Sequence, residues 1–534
     1  MFRLMFLAVA LTMAWPAAAQ DLPVRGVSPL SIEVDGRALP QLDADVVALP
    51  VFGDEDPLAT ALKGAGPELT AAVNAVRTQR ALTGDLAITS IFGPRGLATP
   101  RLLLVQAGSE QGVSADRLRR LAGAVVRAVR GQQVRSVALF VRGPITGGDA
   151  ARVIAEGAVL GLFDPGLHKS GSRAPALATL RVAGVGASSA ALTAAVERGR
   201  INADAQNFAR SITQEPSNQM TPEHMAQHAR RIAKESNLEV ETFDERQIAS
   251  MGMGGIIAVG QGAAAAPRFI VLRYRAPQPS ATTLALAGKG VTFDSGGITL
   301  KPGANMYQMK GDMAGGAAVL AAMQIIGRTR PAVNVIGLVP AVMNLPSGTA
   351  QRPGDVWTGL SGKTVEVMST DAEGRMILSD ALTYALRQNA THLVDVATLT
   401  GAIVTALGDV HTGAFASDDA LFDSLTASAR RTGESFWRMP IDEEYARGIR
   451  GSLVADLNET GGQAGASVGA KFLQQFTDGR PWIHLDIAGT SWPANAGPHM
   501  AGGPTGVTSR TLAELAHTLG ADSLRLKPGA TGNN

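Results

Sequence analysis

A chain of 534 residues, 45% hydrophobic and 18% charged, has ordinary globular composition and room for two packed cores. Its formal net charge of +2, with no basic stripe or acidic tail, gives no case for a nucleic-acid partner. Cysteine is absent, which excludes disulfides, thiolate nucleophiles and zinc–thiolate sites, while 61 glycines and 4% aromatics suit an α/β protein with many tight turns.

The chain opens with "MFRLMFLAVALTMAWPAAAQ": one early Arg, an apolar stretch, a Pro and small residues ending at Ala19. That is the pattern of a cleaved secretory leader, residues 1–19. The apolar run is about 12 residues, against roughly 20 for a bilayer span. The expectation is an exported protein, periplasmic or secreted, with no stable membrane insertion after cleavage.

Residues 20–195 alternate. "ADVVALPVFG", "RLLLVQAG", "VRSVALFVRG" and "LATLRVAG" read as buried strands, and "DRLRRLAGAVVRAVRG" and "GDAARVIAEGAVLGLF" as helices. This predicts a small N-terminal α/β domain without a catalytic constellation. A long helix is expected from about Ser188, broken near Pro216, with the domain division near residue 195. A second helix starts at Thr221-Pro222-Glu223, Thr being a good N-cap and Pro a good first residue. His224 and His228 share one helical face there, without the intervening Glu of a metal-binding H-E-x-x-H, and read as a solvated face.

Residues 196–534 carry more buried strands: "PRFIVLRYR", "TTLALAGKGVTF", "AVNVIGLVPAV", "THLVDVATLTG" and "PWIHLDIAG". Helical stretches separate them, notably "AGGAAVLAAMQIIG" and "RMILSDALTYALRQ". The prediction is a larger α/β catalytic domain with a mixed, mostly parallel sheet flanked by helices. Sites in such sheets lie at the carboxyl ends of strands. The charged residues fall there: Lys289, Asp294 and Lys301 in "GKGVTFDSGGITLKPG", Asp312 in "MKGDMAGG", and Asp371, Glu373 and Arg375 in "STDAEGR".

Four carboxylates in one pocket repel unless protonated or neutralised, and two divalent cations would cancel their charge. In an extended segment Asp371 and Glu373 point to one face and can grip two adjacent ions. Gly374 then lets the chain turn into a helix, leaving Arg375 as an anion holder. Dications also disfavour an ammonium, so one of Lys289 and Lys301 could ligate as a neutral amine while the other stays charged and polarises a carbonyl.

These residues bring a resemblance. "STDAEGRMILSDAL" resembles the signature of the leucyl aminopeptidase family, two-metal peptidases of the cytosol type. "GKGVTFDSGGITLKP", "MKGDMAGGAAVL", "NLPSGTAQRPGD", "DVATLTGA" and "HLDIAGTSW" are similar to further family segments, in the family's order. The resemblance implies an aminopeptidase that releases leucine and similar residues from peptides with a free N-terminus, by hydroxide attack activated by two metal ions. It implies Lys289, Asp294, Asp312 and Glu373 around one ion and Asp294, Asp371 and Glu373 around the other, the ions being Zn2+ or Mn2+. It implies Lys301 and Arg375 as catalytic residues, with a bicarbonate general base at Arg375. Met309, Thr398 and Gly401 would line the first-residue pocket, and the assembly would be a homohexamer. Two departures are Ser369, where the family usually has Asn, and Gly311, where it commonly has Tyr or Ala. A relative with an idle site is disfavoured by the intact ligand and catalytic positions. A two-metal phosphatase is disfavoured by the lack of His near the cluster.

Overall fold

The computed structural model describes residues 22–53, 55–170, 177–493 and 497–525, so the leader read at residues 1–19 lies outside the described residues. Two mixed α/β layers organise the rest. The first sheet runs Ser31–Asp35, Thr179–Ala183, Ser136–Phe140, Val46–Val51, Arg101–Gln106, Ile88–Phe92. All neighbours are parallel except the last pair. Val46–Val51 is buried throughout, as a central strand covered on both faces must be. Helices Ala115–Ala128 and Gly147–Gly161 pack on one face, and helix Pro67–Thr78 on the other.

The second sheet runs Phe436–Arg438, Thr412–Ala416, Trp482–Asp486, His392–Ala397, Thr283–Gly288, Asn334–Asn344, Arg268–Tyr274, Glu239–Phe243. Its inner strands are parallel and antiparallel pairing is confined towards the edges. Period-two alternation splits each strand between two cores: Leu284 and Leu286 face helices Pro222–Ser236 and Ala314–Thr329, while Ala285 and Ala287 face helix Glu373–Arg387. A small third sheet joins Val356–Thr358, Thr364–Glu366 and Leu457–Asn458.

The helix expected from about Ser188 is Ala190–Gln214, with the Ser189 hydroxyl accepting from Leu192 N–H; it ends before Pro216. Leu192 and Val196 pack in the first core and residues from Ile201 to Ile212 in the second, so one unbroken helix ties the two layers together. Thr221 caps helix Pro222–Ser236 as read, with His224 completing a reciprocal capping pair.

Two expectations change. His228 is not on a solvated face: it is buried edge-on against Phe208, and burial pushes it down to about 3, so it stays neutral. The run "TTLALAGKGVTF" is two strands, Thr283–Gly288 and Gly290–Asp294, parted at Lys289. There Lys289 N–H donates to the Val396 carbonyl, while the second piece pairs, among the described residues, with Asn334–Asn344. Among the described residues no helix is long and apolar enough to cross a membrane.

Candidate metal centre

The charged residues read from the sequence meet at the carboxyl ends of the central parallel strands. Lys289 follows strand Thr283–Gly288, and Asp294 ends strand Gly290–Asp294. Asp312 stands between the 3-10 turn Met306–Gly311 and helix Ala314–Thr329, and Glu373 is the first residue of helix Glu373–Arg387. One oxygen each from Asp294, Asp371 and Glu373 lie within 4.8 Å of one another. Lys289 Nζ sits 2.7 Å from both Asp312 Oδ2 and Glu373 Oε1, and donates to the Thr398 carbonyl at 2.8 Å. Lys301 Nζ sits 2.8 Å from Asp294 Oδ2 and also contacts Asp371 Oδ1. The whole constellation is therefore one cluster.

The way Asp371 and Glu373 are brought together differs from the extended segment expected. Asp371 lies in a turn, and Ala372 has φ −105° and ψ 28°, so the helix start aims the two acids. Gly374 is already inside the helix. A Cβ there would stand 2.7 Å from Lys289 Cδ and 3.0 Å from its Nζ, so the missing side chain makes room for the lysine. Gly296 takes φ +87° in the tight loop after Asp294, and its N–H donates to Asp294 Oδ1 at 2.8 Å.

Asp294, Glu373 and Lys289 are almost fully buried. Burial works against the Lys289 ammonium, but the carboxylates of Asp312, Glu373 and Asp294 outweigh it and hold the amine well above its ordinary value. Lys301 is raised in the same way by Asp294 and Glu373. Burial, reinforced by the Asp294 charge, pushes Glu373 up to about 8 and raises Asp371. Burial also pushes Asp312 up to about 6, against the pull of Lys289. Four carboxyls thus face two ammonium groups, and part of the mismatch is taken up by proton uptake. The neutral donor amine read from the sequence consequently needs additional positive charge in the cluster.

Divalent cations fit this site on the chemistry of its donors. The buried oxygens Asp312 Oδ2, Asp371 Oδ1 and Glu373 Oε1 have lysine ammonium groups at ion-pair distance but receive no hydrogen bond of good geometry among the described residues. Hard, all-oxygen carboxylate sets of this kind suit dications. Arg375 is buried at the cluster's edge. Its Nη1 donates to the Glu459 carbonyl at 2.6 Å, and its Nε has no partner among the described residues.

A cavity of about 550 Å³ opens over the cluster. Met309, Thr398 and Gly401 line it together with Lys301 and Arg375. Thr398 Oγ1 donates to Asp312 Oδ1 at 2.7 Å. Gly401 starts helix Gly401–Leu407, and a Cβ there would meet no atom within 4 Å. Ser369 lines the same cavity, and its N–H and that of Met368 donate to Glu459 Oε1. At Gly311 a Cβ would stand 2.9 Å from Trp492 Cε3, so the small residue lets the indole form part of the wall. Sequence reading missed Asn344, whose Nδ2 bridges Asp294 Oδ1 at 2.8 Å and the Thr370 carbonyl at 2.9 Å. It opens the quoted stretch "NLPSGTAQRPGD", but an amide there carries no charge signal. Glu459, which steadies both Ser369 and Arg375, was also missed.

The family model described as cytosol aminopeptidase family, catalytic domain, matches residues 207–513, and that for the N-terminal domain matches residues 48–171. A probable cytosol aminopeptidase from Solibacter usitatus is 44% identical over 489 residues, covering 91% of this chain and 99% of that protein. Another from Koribacter versatilis is 38% identical over 504 residues, covering 90% and 98%. Among solved structures, the bottromycin maturation enzyme BotP in complex with Mn is 34% identical, with a TM-score of 0.79 over 89% of this chain and 100% of that one. A mutant of tomato leucine aminopeptidase is 32% identical, with a TM-score of 0.82 over 92% and 97%.

Proposed function

The chain belongs to the cytosol aminopeptidase family, and from that premise we propose how its cluster works as a centre for two divalent ions. The protein is a metal-dependent aminopeptidase, a hydrolase acting on peptides from their amino ends. In this reading Lys289, Asp294, Asp312 and Glu373 would hold one ion, and Asp294, Asp371 and Glu373, with the Asp371 carbonyl, would hold the other. The observation that carries the reading is the convergence of Asp294, Asp371 and Glu373 oxygens within 4.8 Å. The Mn in the BotP complex supports Mn2+, and Zn2+ is the alternative by family likeness.

When bound, such a pair would acidify a water and polarise the scissile carbonyl. The chain's own residues do the rest. Lys301 keeps its ammonium at the cavity wall, held charged by Asp294 and Glu373, and donates to the developing oxyanion. Arg375, whose Nε has no partner among the described residues, would seat a bicarbonate, and that anion would supply a general base beside the attacking water. Met309, Thr398 and Gly401 receive the first side chain, Gly401 leaving open space for it. Export by the leader at residues 1–19 and assembly as a homohexamer complete the proposal on sequence pattern and family likeness.

The test is turnover of leucine p-nitroanilide and of the dipeptide Leu-Gly by protein stripped of metal and then given Mn2+ or Zn2+. Hydrolysis restored by either ion is expected. No turnover of any free-amino peptide with either ion overturns the assignment.

A further inference from the structure

Two loops that line the cavity over the cluster run on from neighbouring strands. One, residues 398–401, follows strand His392–Ala397, and the other, with Ala488, follows strand Trp482–Asp486. The register of these parallel strands ends with Ala397 opposite Asp486, and Ile487 N–H extends the ladder by donating to the Ala397 carbonyl at 2.8 Å. Beyond that bond the two loops meet at one side chain. Asp486 is 1% exposed; its Oδ1 accepts from Leu399 N–H at 3.1 Å and Ala488 N–H at 3.2 Å, and its Oδ2 accepts from the Thr400 hydroxyl at 2.7 Å. Hydrogen bonds to a carboxylate are stronger than those between neutral groups, so this one residue is a firm tie between the loops.

The first loop is held from two directions. Thr398 is tied to the cluster, its Oγ1 donating to Asp312 Oδ1 and its carbonyl accepting from Lys289 Nζ. Leu399 and Thr400 are tied to Asp486 instead. Thr400 Oγ1 also accepts from Ile403 N–H at 3.2 Å and so caps helix Gly401–Leu407. Asp486 thereby fixes where that helix begins, and Gly401, with open space where a Cβ would stand, is its first residue. Leu399, Thr400 and Ala488 line the cavity, whereas Asp486 lies behind them.

We propose that Asp486 is a positioning residue for substrate selection: its carboxylate sets the spacing of the two loops and so the width of the pocket for the first side chain. This rests on the reading of Thr398 and Gly401 as walls of that pocket. Removing the carboxylate frees the wall at Leu399, Thr400 and Ala488 and leaves Thr398 attached to Asp312 and Lys289. Substrate fit then changes while the metal ligands stay in place. A part in stability alone would lower the amount of active enzyme, and hence kcat, and leave KM and the choice between substrates untouched.

The test compares Mn2+-loaded wild type, Asp486→Ala and Asp486→Asn on leucine and alanine p-nitroanilide, with bound metal measured beside the kinetics. Wild-type turnover is the control; without it the aminopeptidase reading falls, and this proposal with it. Given that turnover, Asp486→Ala keeps the wild-type metal content and a kcat within about twofold, while KM for leucine p-nitroanilide rises about tenfold, roughly the worth of one charge-assisted hydrogen bond. KM for the shorter alanine substrate rises less, so the preference for leucine falls. Asp486→Asn stays close to wild type, because its amide oxygen accepts from both N–H groups and its amide N–H donates to the Thr400 hydroxyl oxygen. If Asp486→Ala does not fold, Thr400→Val, which removes the 2.7 Å bond, lowers the leucine preference by a smaller factor. The proposal alone is overturned if Asp486→Ala, or Thr400→Val in its place, keeps the wild-type KM and the wild-type ratio of leucine to alanine turnover. It is overturned equally if Asp486→Ala loses metal, or if Asp486→Asn shifts KM as far as Asp486→Ala does.

Discussion

Lys289 and Lys301 look alike in the sequence, and their surroundings separate them. Lys289 is buried among Asp312, Glu373 and the Thr398 carbonyl, whereas Lys301 stands at the cavity wall between Asp294 and Asp371. Replacing Lys301 by Ala should leave the bound metal in place and lower kcat by about 10²–10³-fold, the usual loss for one oxyanion donor. Metal analysis beside steady-state kinetics checks this, and unchanged turnover would remove Lys301 from the chemistry. The converging acids were legible because each sits where a strand ends or a helix starts. Gly374 was legible only as a glycine. Its reason, the Lys289 side chain lying on it, is a contact between distant segments that spacing alone cannot display. Asn344 was hidden for the same cause.

Helix Glu373–Arg387 carries the site at its first turn and is anchored in its middle by Asp380. That carboxylate is buried, accepts from Leu360 N–H at 2.8 Å and Ile256 N–H at 3.0 Å, and is pushed up to about 7 chiefly by burial. Asp380→Ala strands those N–H groups and should cost about 2–4 kcal/mol, read as a lower urea midpoint of the metal-loaded protein. Asp380→Asn keeps an acceptor and should lose less; equal losses would deny the carboxylate its anchoring part. The long apolar strands and the helices with clear 3.6-residue spacing were readable in the chain. The break at Lys289 was not, because the residues on both sides keep the apolar pattern while their partners change. Three-residue strands such as Val356–Thr358 are too short to show a period.

The cluster at the strand ends of the second layer ties the protein's stability to pH and metal. Glu373 and Asp312 are raised, to about 8 and about 6. A raised carboxyl stabilises the fold fully below its unfolded value and loses that contribution as pH rises through its folded value. Buried His228 and half-buried His499 and His517 are pushed down, chiefly by desolvation, so their contribution is already complete above about pH 6.5. Metal-free protein should therefore melt at a lower temperature near pH 8 than near pH 6.5, and Glu373→Gln should flatten that slope. Added Mn2+ or Zn2+ should raise the melting point most at the higher pH, where the ligands are ionised. A slope identical in wild type and Glu373→Gln would show that the cluster does not govern it.

If the acids at the strand ends seat a pair of cations, anomalous X-ray diffraction from crystals loaded with Mn2+ will locate both. Two peaks per subunit are expected, one among Asp294, Asp371 and Glu373 and the other among Lys289, Asp294, Asp312 and Glu373. No peak at these residues, or Mn2+ bound only elsewhere on the chain, would rule out a metal seat there.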